Sequence, residues 1–139
     1  MVGLAIAVLL TCSSVDATAP YQRAQQQCGA AAERHFGRIA LPPGERGLKR
    51  LKYVPPAFPP SSKKHPGTGG WRGVVLVGPD GKVKDLWSFA EPEFTPSWPE
   101  GIAAIADAIK KWEYVPALLN REPQPVCLTV TVEIHWTAE

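Results

Sequence analysis

Residues 126–136 read Val-Cys-Leu-Thr-Val-Thr-Val-Glu-Ile-His-Trp. In an extended chain Val126, Leu128, Val130, Val132, Ile134 and Trp136 share one face, and Cys127, Thr129, Thr131, Glu133 and His135 share the other. Alternation with a period of two predicts a strand with one face on a core and one in water, as in an antiparallel sheet covered on one side by a helix. His135 falls on the wet face, where metal ligation is not expected.

The covering helix precedes this strand. From Pro99 to about Glu113, Ile102, Ile105, Ala106, Ile109 and Trp112 recur at helical spacing. Ser97 and Glu100 have capping-box spacing, and Pro99 sits in the first turn, where a missing N–H costs nothing. Pro116 prevents further helix.

Further upstream, Trp71, Gly73, Val75 and Val77 alternate with Arg72, Val74 and Leu76, which predicts a strand with much apolar surface. Gly78-Pro79-Asp80-Gly81 is a turn, because Pro presets the first dihedral and Gly accepts positive φ. Residues 83–89 return as a second strand. The order strand, strand, helix, strand predicts an α+β fold, a small antiparallel three-stranded sheet packed on one main helix. Its outer strands leave free edges that invite strand addition by a partner.

Two segments lie ahead of this unit. Residues 21–36 are rich in Ala and Gln and lack Pro, so they read as a helix. Its stripe of Ala24, Cys28, Ala31, Ala32 and His35 is only weakly apolar and is expected to dock loosely. Residues 41–70 hold much of the chain's 15 Pro and 12 Gly and read as a stiff, extended connector. Its Arg46, Lys49, Arg50, Lys52, Lys63 and Lys64 read as solvated charge in preference to an arm for phosphates, lipid head groups or an acidic partner.

The 139 residues carry 15 Lys+Arg against 13 Asp+Glu, a net +2 that does not argue for nucleic acid as a partner. No nucleophile elbow, phosphate loop or His-Glu-x-x-His is present, so no catalytic residue and no cofactor are assigned and an enzyme is not expected. Three Cys without a Cys-x-x-Cys pair argue against structural zinc.

Residues 2–10, VGLAIAVLL, have the size of a signal-peptide core and are too short for a bilayer, which takes about 20 residues. Residues 1–17 are therefore expected to be a signal peptide. A second reading ends a lipoprotein signal before Cys12, which would then carry the lipid. Export leaves Cys28 and Cys127, either joined by a disulfide or kept as two thiols.

Several of these segments together resemble the C-terminal domain of TonB-family proteins. They are Lys52-Tyr53-Val54-Pro55-Pro56-Ala57-Phe58-Pro59, the turn Asp80-Gly81-Lys82-Val83, then Trp112-Glu113-Tyr114-Val115-Pro116-Ala117, and Pro123-x-Pro125-Val126 leading into the last strand. Phe58-Pro59 stands for the Tyr-Pro ahead of the first strand, and Gly69 for the Gly that opens it. With Asp80, Gly81, Trp112, Tyr114, Pro116 and Ala117 these form the family's structural motif. The resemblance covers about residues 49–136. It divides the chain into the signal peptide 1–17, an N-terminal helix and linker 18–48, and a TonB-like domain 49–139.

The resemblance implies a periplasmic protein of the Gram-negative cell envelope, acting in TonB-dependent transmembrane transport. Its partner would be a protein, an outer-membrane receptor segment or another envelope protein, added as a strand beside Val126, Leu128, Thr129, Val130, Thr131, Val132, Glu133 and Ile134. Pairing of two copies stays open, and membrane contact would come only through a lipid anchor. The alternative is a lipid-anchored or secreted structural or oligomerisation module with the same fold and no energy transduction.

Overall fold

A computed structural model describes residues 19–41, 48–57, 67–89, 94–95 and 99–136. Their elements in chain order are α1 (Ala19–Phe36), β1 (Arg50–Lys52), β2 (Gly67–Val77), β3 (Val83–Ser88), β4 (Phe94–Thr95), α2 (Pro99–Ile109), β5 (Glu113–Tyr114), β6 (Ala117–Leu119), β7 (Glu122–Gln124) and β8 (Val126–Trp136).

The fold is α+β, as the strand and helix order predicts. Strand β2 is the centre of an antiparallel sheet. It pairs with β8 along its whole length, from Gly67 opposite Trp136 to Val77 opposite Val126. Along its other edge, β3 pairs with residues 73–77 and β4 with Thr68 and Gly69. The β2–β3 turn closes through hydrogen bonds from Gly78 N–H to Lys82 O and from Gly81 N–H to Gly78 O. Gly81 takes φ +80°, and a Cβ there would meet the Tyr114 carbonyl.

One face of the sheet carries the main core. Trp71, Val75, Val77, Val126, Leu128 and Val130 pack with Ile105 and Ile109 of α2 and with Trp112 and Tyr114. Full burial of an Ile or Val contributes about 1.5–3 kcal/mol, so this layer dominates the apolar stabilisation. The Trp71 ring folds back over Gly73, where a Cβ would collide with the ring and with the Trp87 carbonyl. A glycine in mid-strand is thus the room the indole needs.

The opposite face is not left to water. Ala24, Cys28, Ala31 and Ala32 of α1 are buried against Val74, Leu76 and Cys127. This corrects the expectation that the first helix docks loosely. Small side chains let the helix approach closely, and Cys28 is bonded to Cys127. It also explains why residues 74–77, Val-Val-Leu-Val, are apolar without alternation: both of their faces are covered. Cys127 is therefore buried, while Thr129, Thr131, Glu133 and His135 on the same side of β8 are exposed. Helix α1 ends at Gly37, which takes φ +64° and donates its N–H to Glu33 O.

Two further details differ from the reading of the sequence, and a third lies outside it. Helix α2 stops at Ile109 instead of continuing to Glu113, because the following amides turn tighter: Lys111 N–H bonds Ala108 O and Trp112 N–H bonds Ile109 O. Glu113 and Tyr114 are instead the strand β5, antiparallel to β1. Strand β1 lies within the segment read as a connector. Finally, the return to β8 is a tight hairpin, β6 against β7, turning at Asn120 and Arg121, both at positive φ.

Candidate functional site

Strand β8 forms one edge of the sheet. Among the described residues its only strand partner is β2, and its outer side is met only at the start, where Leu41 bridges Val126 in parallel and donates its N–H to Pro125 O at 2.9 Å. From Thr129 onward the edge is lined by no described strand. Such an edge offers a row of backbone donors and acceptors that an extended chain can extend as a further strand.

The side chains divide sharply. Val126, Leu128 and Val130 are buried in the core under α2, so they hold the strand and cannot reach a partner. Val132 and Ile134 are half-buried, and Thr129, Thr131 and Glu133 are exposed. Of the eight residues assigned to partner binding, the first group serves the fold and the remainder, toward the strand's end, are within reach of a neighbour.

Helix α1 supplies a wall beside this edge that sequence reading did not foresee. Tyr21, Gln25, Gly29 and Glu33 recur every four residues along one flank and, with Ile39 and Cys127, line an open groove of about 510 Å³. Gln25 Nε2 donates to Tyr21 Oη at 3.1 Å and lies 3.5 Å from Thr129 Oγ1, so the helix flank reaches β8 where its edge opens. Tyr21 is anchored from the other side by an edge-on contact with Phe89, with ring centroids 5.3 Å apart. The signal was the i, i+4 spacing of these residues, which is invisible without knowing that α1 crosses the sheet.

The motif residues hold the opposite end of the sheet together. Asp80 Oδ1 accepts the Lys82 N–H at 3.0 Å and its Oδ2 pairs with Lys84 Nζ at 3.1 Å. Burial pulls the Asp80 carboxyl up, but the Lys82 amide and the Lys84 ammonium outweigh it and hold the group below the usual carboxylate range. Tyr114 N–H donates to Gly81 O at 2.8 Å. Trp112 is buried and its indole N–H donates to Val54 O at 2.8 Å. The Arg50 guanidinium lies over the rings of both Tyr53 and Trp112, at 4.6 and 4.7 Å. Burial pushes the Tyr114 hydroxyl up, offset in part by Arg50. Gly69 lies in β2 between Phe94 of β4 and Ile134 of β8. Pro116 and Ala117 carry the chain from β5 into β6. Phe58, Pro59, Ser97, Cys12 and the whole of 1–17 lie outside the described residues.

Among the described residues no three His, Cys, Asp or Glu side chains gather as a metal site, and no helix is long and apolar enough to cross a membrane.

No family model and no curated protein matches this chain. Among solved structures it is similar to the solution NMR structure of the Pseudomonas aeruginosa TonB CTD, at 19% identity and a TM-score of 0.48, covering 71% of this chain and 94% of that one.

Proposed function

We propose that this chain is an exported, TonB-like protein-binding module of the Gram-negative cell envelope. It takes an extended segment of an outer-membrane receptor, or of another envelope protein, as a strand beside β8. The observation that supports this reading is the outer edge of β8, met by Leu41 at Val126 and, among the described residues, lined by no strand from Thr129 onward. The motif around Trp112, Tyr114, Pro116 and Ala117 supports it independently, through its sequence resemblance to TonB-family domains.

Affinity would come from main-chain hydrogen bonds, which any extended segment can supply. Selection would come from the exposed Thr129, Thr131 and Glu133 on one side and the half-buried Val132 and Ile134 on the other. Export belongs to the same proposal, either by a signal peptide of residues 1–17 that takes Cys12 with it or by a lipoprotein signal that ends before a lipidated Cys12, and either route would bring the module to the periplasm.

The test is a titration with a TonB-box peptide followed by amide NMR. Shifts concentrated at residues 129–134 are expected. Unchanged amides there at saturating peptide would remove the reading. The same open edge also suits pairing of two copies, and sedimentation of the peptide-free protein separates the two: a monomer rules out the oligomerisation module.

A further inference from the structure

The far end of the sheet from the open edge carries a concentration of exposed positive charge. Strand β5 is the organiser. Lys52 of β1 and Lys82 beside the turn are both Cα partners of Glu113, one on each side of it. Val115 N–H bonds Lys49 O, and Lys110 and Lys111 directly follow α2, with Trp112 between them and β5. Lys49, Arg50, Lys52, Lys82, Lys110 and Lys111 are all exposed. Among the described residues none of these forms an ion pair; the pair that does form, Lys84 with Asp80, lies within the turn itself. Along the chain the acids nearest these six cations are Glu45, Asp80, Asp107 and Glu113, and Asp80 is already paired with Lys84, so six cations stand against three remaining acids although the whole chain carries only +2.

Apolar side chains protrude from the same segment. The pairing of β1 with β5 shifts register between Arg50 and Lys52, so Leu51 is the extra residue of a bulge and is 64% exposed. Tyr53 is 53% exposed, and its ring contacts both the Arg50 guanidinium and the Trp112 ring. Residues 49–53 thus read cation, cation, apolar, cation, aromatic.

We propose that this surface docks the protein onto an anionic phospholipid membrane. Lysines and Arg50 would meet the phosphate head groups, while Leu51 and the Tyr53 ring enter the interfacial layer, where an amphipathic aromatic is at home. Charge alone would equally suit an acidic polypeptide. The protruding Leu51 decides for the membrane, since a bilayer takes up an isolated apolar side chain that an acidic chain has no use for. Rigid placement of Tyr53 lowers the entropy cost of binding. The open edge of β8 begins at Thr129, opposite Val74, about 10 Å of strand rise from the Val77 end of β2, and runs away from this surface, so the two can be tested apart.

The test is co-sedimentation of the full chain with phosphatidylcholine vesicles made with or without phosphatidylglycerol. Binding that requires phosphatidylglycerol and weakens at high salt is expected. Each cation near a charged surface is worth about fivefold, so the triple variant Lys52→Glu, Lys110→Glu, Lys111→Glu should lose on the order of 100-fold. Leu51→Ser should lose about tenfold for anionic vesicles. All four positions are exposed, and an unchanged thermal melt verifies the fold. Equal binding to both vesicle types, no binding to anionic vesicles at low salt, or wild-type binding by the triple variant overturns the proposal. So does poly-glutamate binding more tightly than vesicles while Leu51→Ser leaves vesicle binding unchanged, which would assign the surface to an acidic polypeptide.

Discussion

Cys28, in the middle of α1, is bonded to Cys127, the second residue of β8, with Cα atoms 6.0 Å apart although the two are 99 positions apart in the chain. This bond joins the first described element to the last. It adds to a modest apolar contact: Ala24, Ala31 and Ala32 each bury about one methyl group, worth about 0.8 kcal/mol apiece, and Phe36 and Phe89 pack against the same cluster. A disulfide closing so long a loop is worth about 2–4 kcal/mol, as much as the whole alanine stripe.

Replacing both cysteines by serine should therefore destabilise the protein by about 2–4 kcal/mol. Hydrogen exchange should show the loss concentrated in α1, with the β2–β8 ladder still protected. Equal exchange in α1 with and without the bond would show that packing alone retains the helix.

Two glycines should resist even alanine. Gly73→Ala places a methyl against the Trp71 ring and the Trp87 carbonyl, and Gly81→Ala adds a strained positive φ to a collision with the Tyr114 carbonyl. Each is expected to cost about 1–3 kcal/mol or more, read as a lower urea midpoint at unchanged slope. Gly29→Ala, where a Cβ meets nothing within 4 Å, is the control and should be neutral or stabilising.

Trp112→Phe keeps most of the buried ring and removes the N–H that bonds Val54 O. The carbonyl and the Arg50–Tyr53 stack lose their anchor, so a cost of about 1–2 kcal/mol is expected from the lost bond. A double-mutant cycle with Arg50→Ala should show coupling between the two positions, because the guanidinium sits over both rings.

The buried Tyr114 hydroxyl gives an alkaline signature. Its pKa is raised on folding, so above the ordinary tyrosine value near 10 the unfolded chain loses a proton that the folded chain still holds. Stability contributed by this group is complete below that pH and falls as pH rises through the window above it. Denaturation of Tyr114→Phe should lack this part of the alkaline decline. Parallel pH profiles for the two proteins would show that the hydroxyl is solvated in the folded state.

On β8, fold and recognition separate by position. Leu128→Ala should cost about 2–4 kcal/mol, because Leu128 is buried under α2. Thr131→Ala should leave stability within about 0.5 kcal/mol and change peptide affinity, because that side chain is exposed beside the open edge. The reverse pattern, in melting temperature and peptide titration, would place the partner elsewhere.

Local pattern alone determined much of this protein. Alternation along residues 126–136, the helical spacing of Ile102, Ile105 and Ile109, and the Pro-Asp-Gly turn each express a period or a dihedral preference that neighbouring residues carry among themselves. What only the tertiary structure decided involves residues far apart in the chain. Ala24, Ala31 and Ala32 look too weakly apolar to dock until Val74, Leu76 and Cys127 are brought beneath them. Arg50–Lys52 reads as connector until Glu113 and Tyr114 leave the helix to pair with it. Whether Cys28 and Cys127 were bonded or free could not be read from spacing, because a disulfide depends on a distance of a few ångströms that 99 positions of chain leave undetermined. The open edge of β8 follows the same logic: the strand was legible in its own residues, and its free side became visible only once Leu41 and α1 took their places around it.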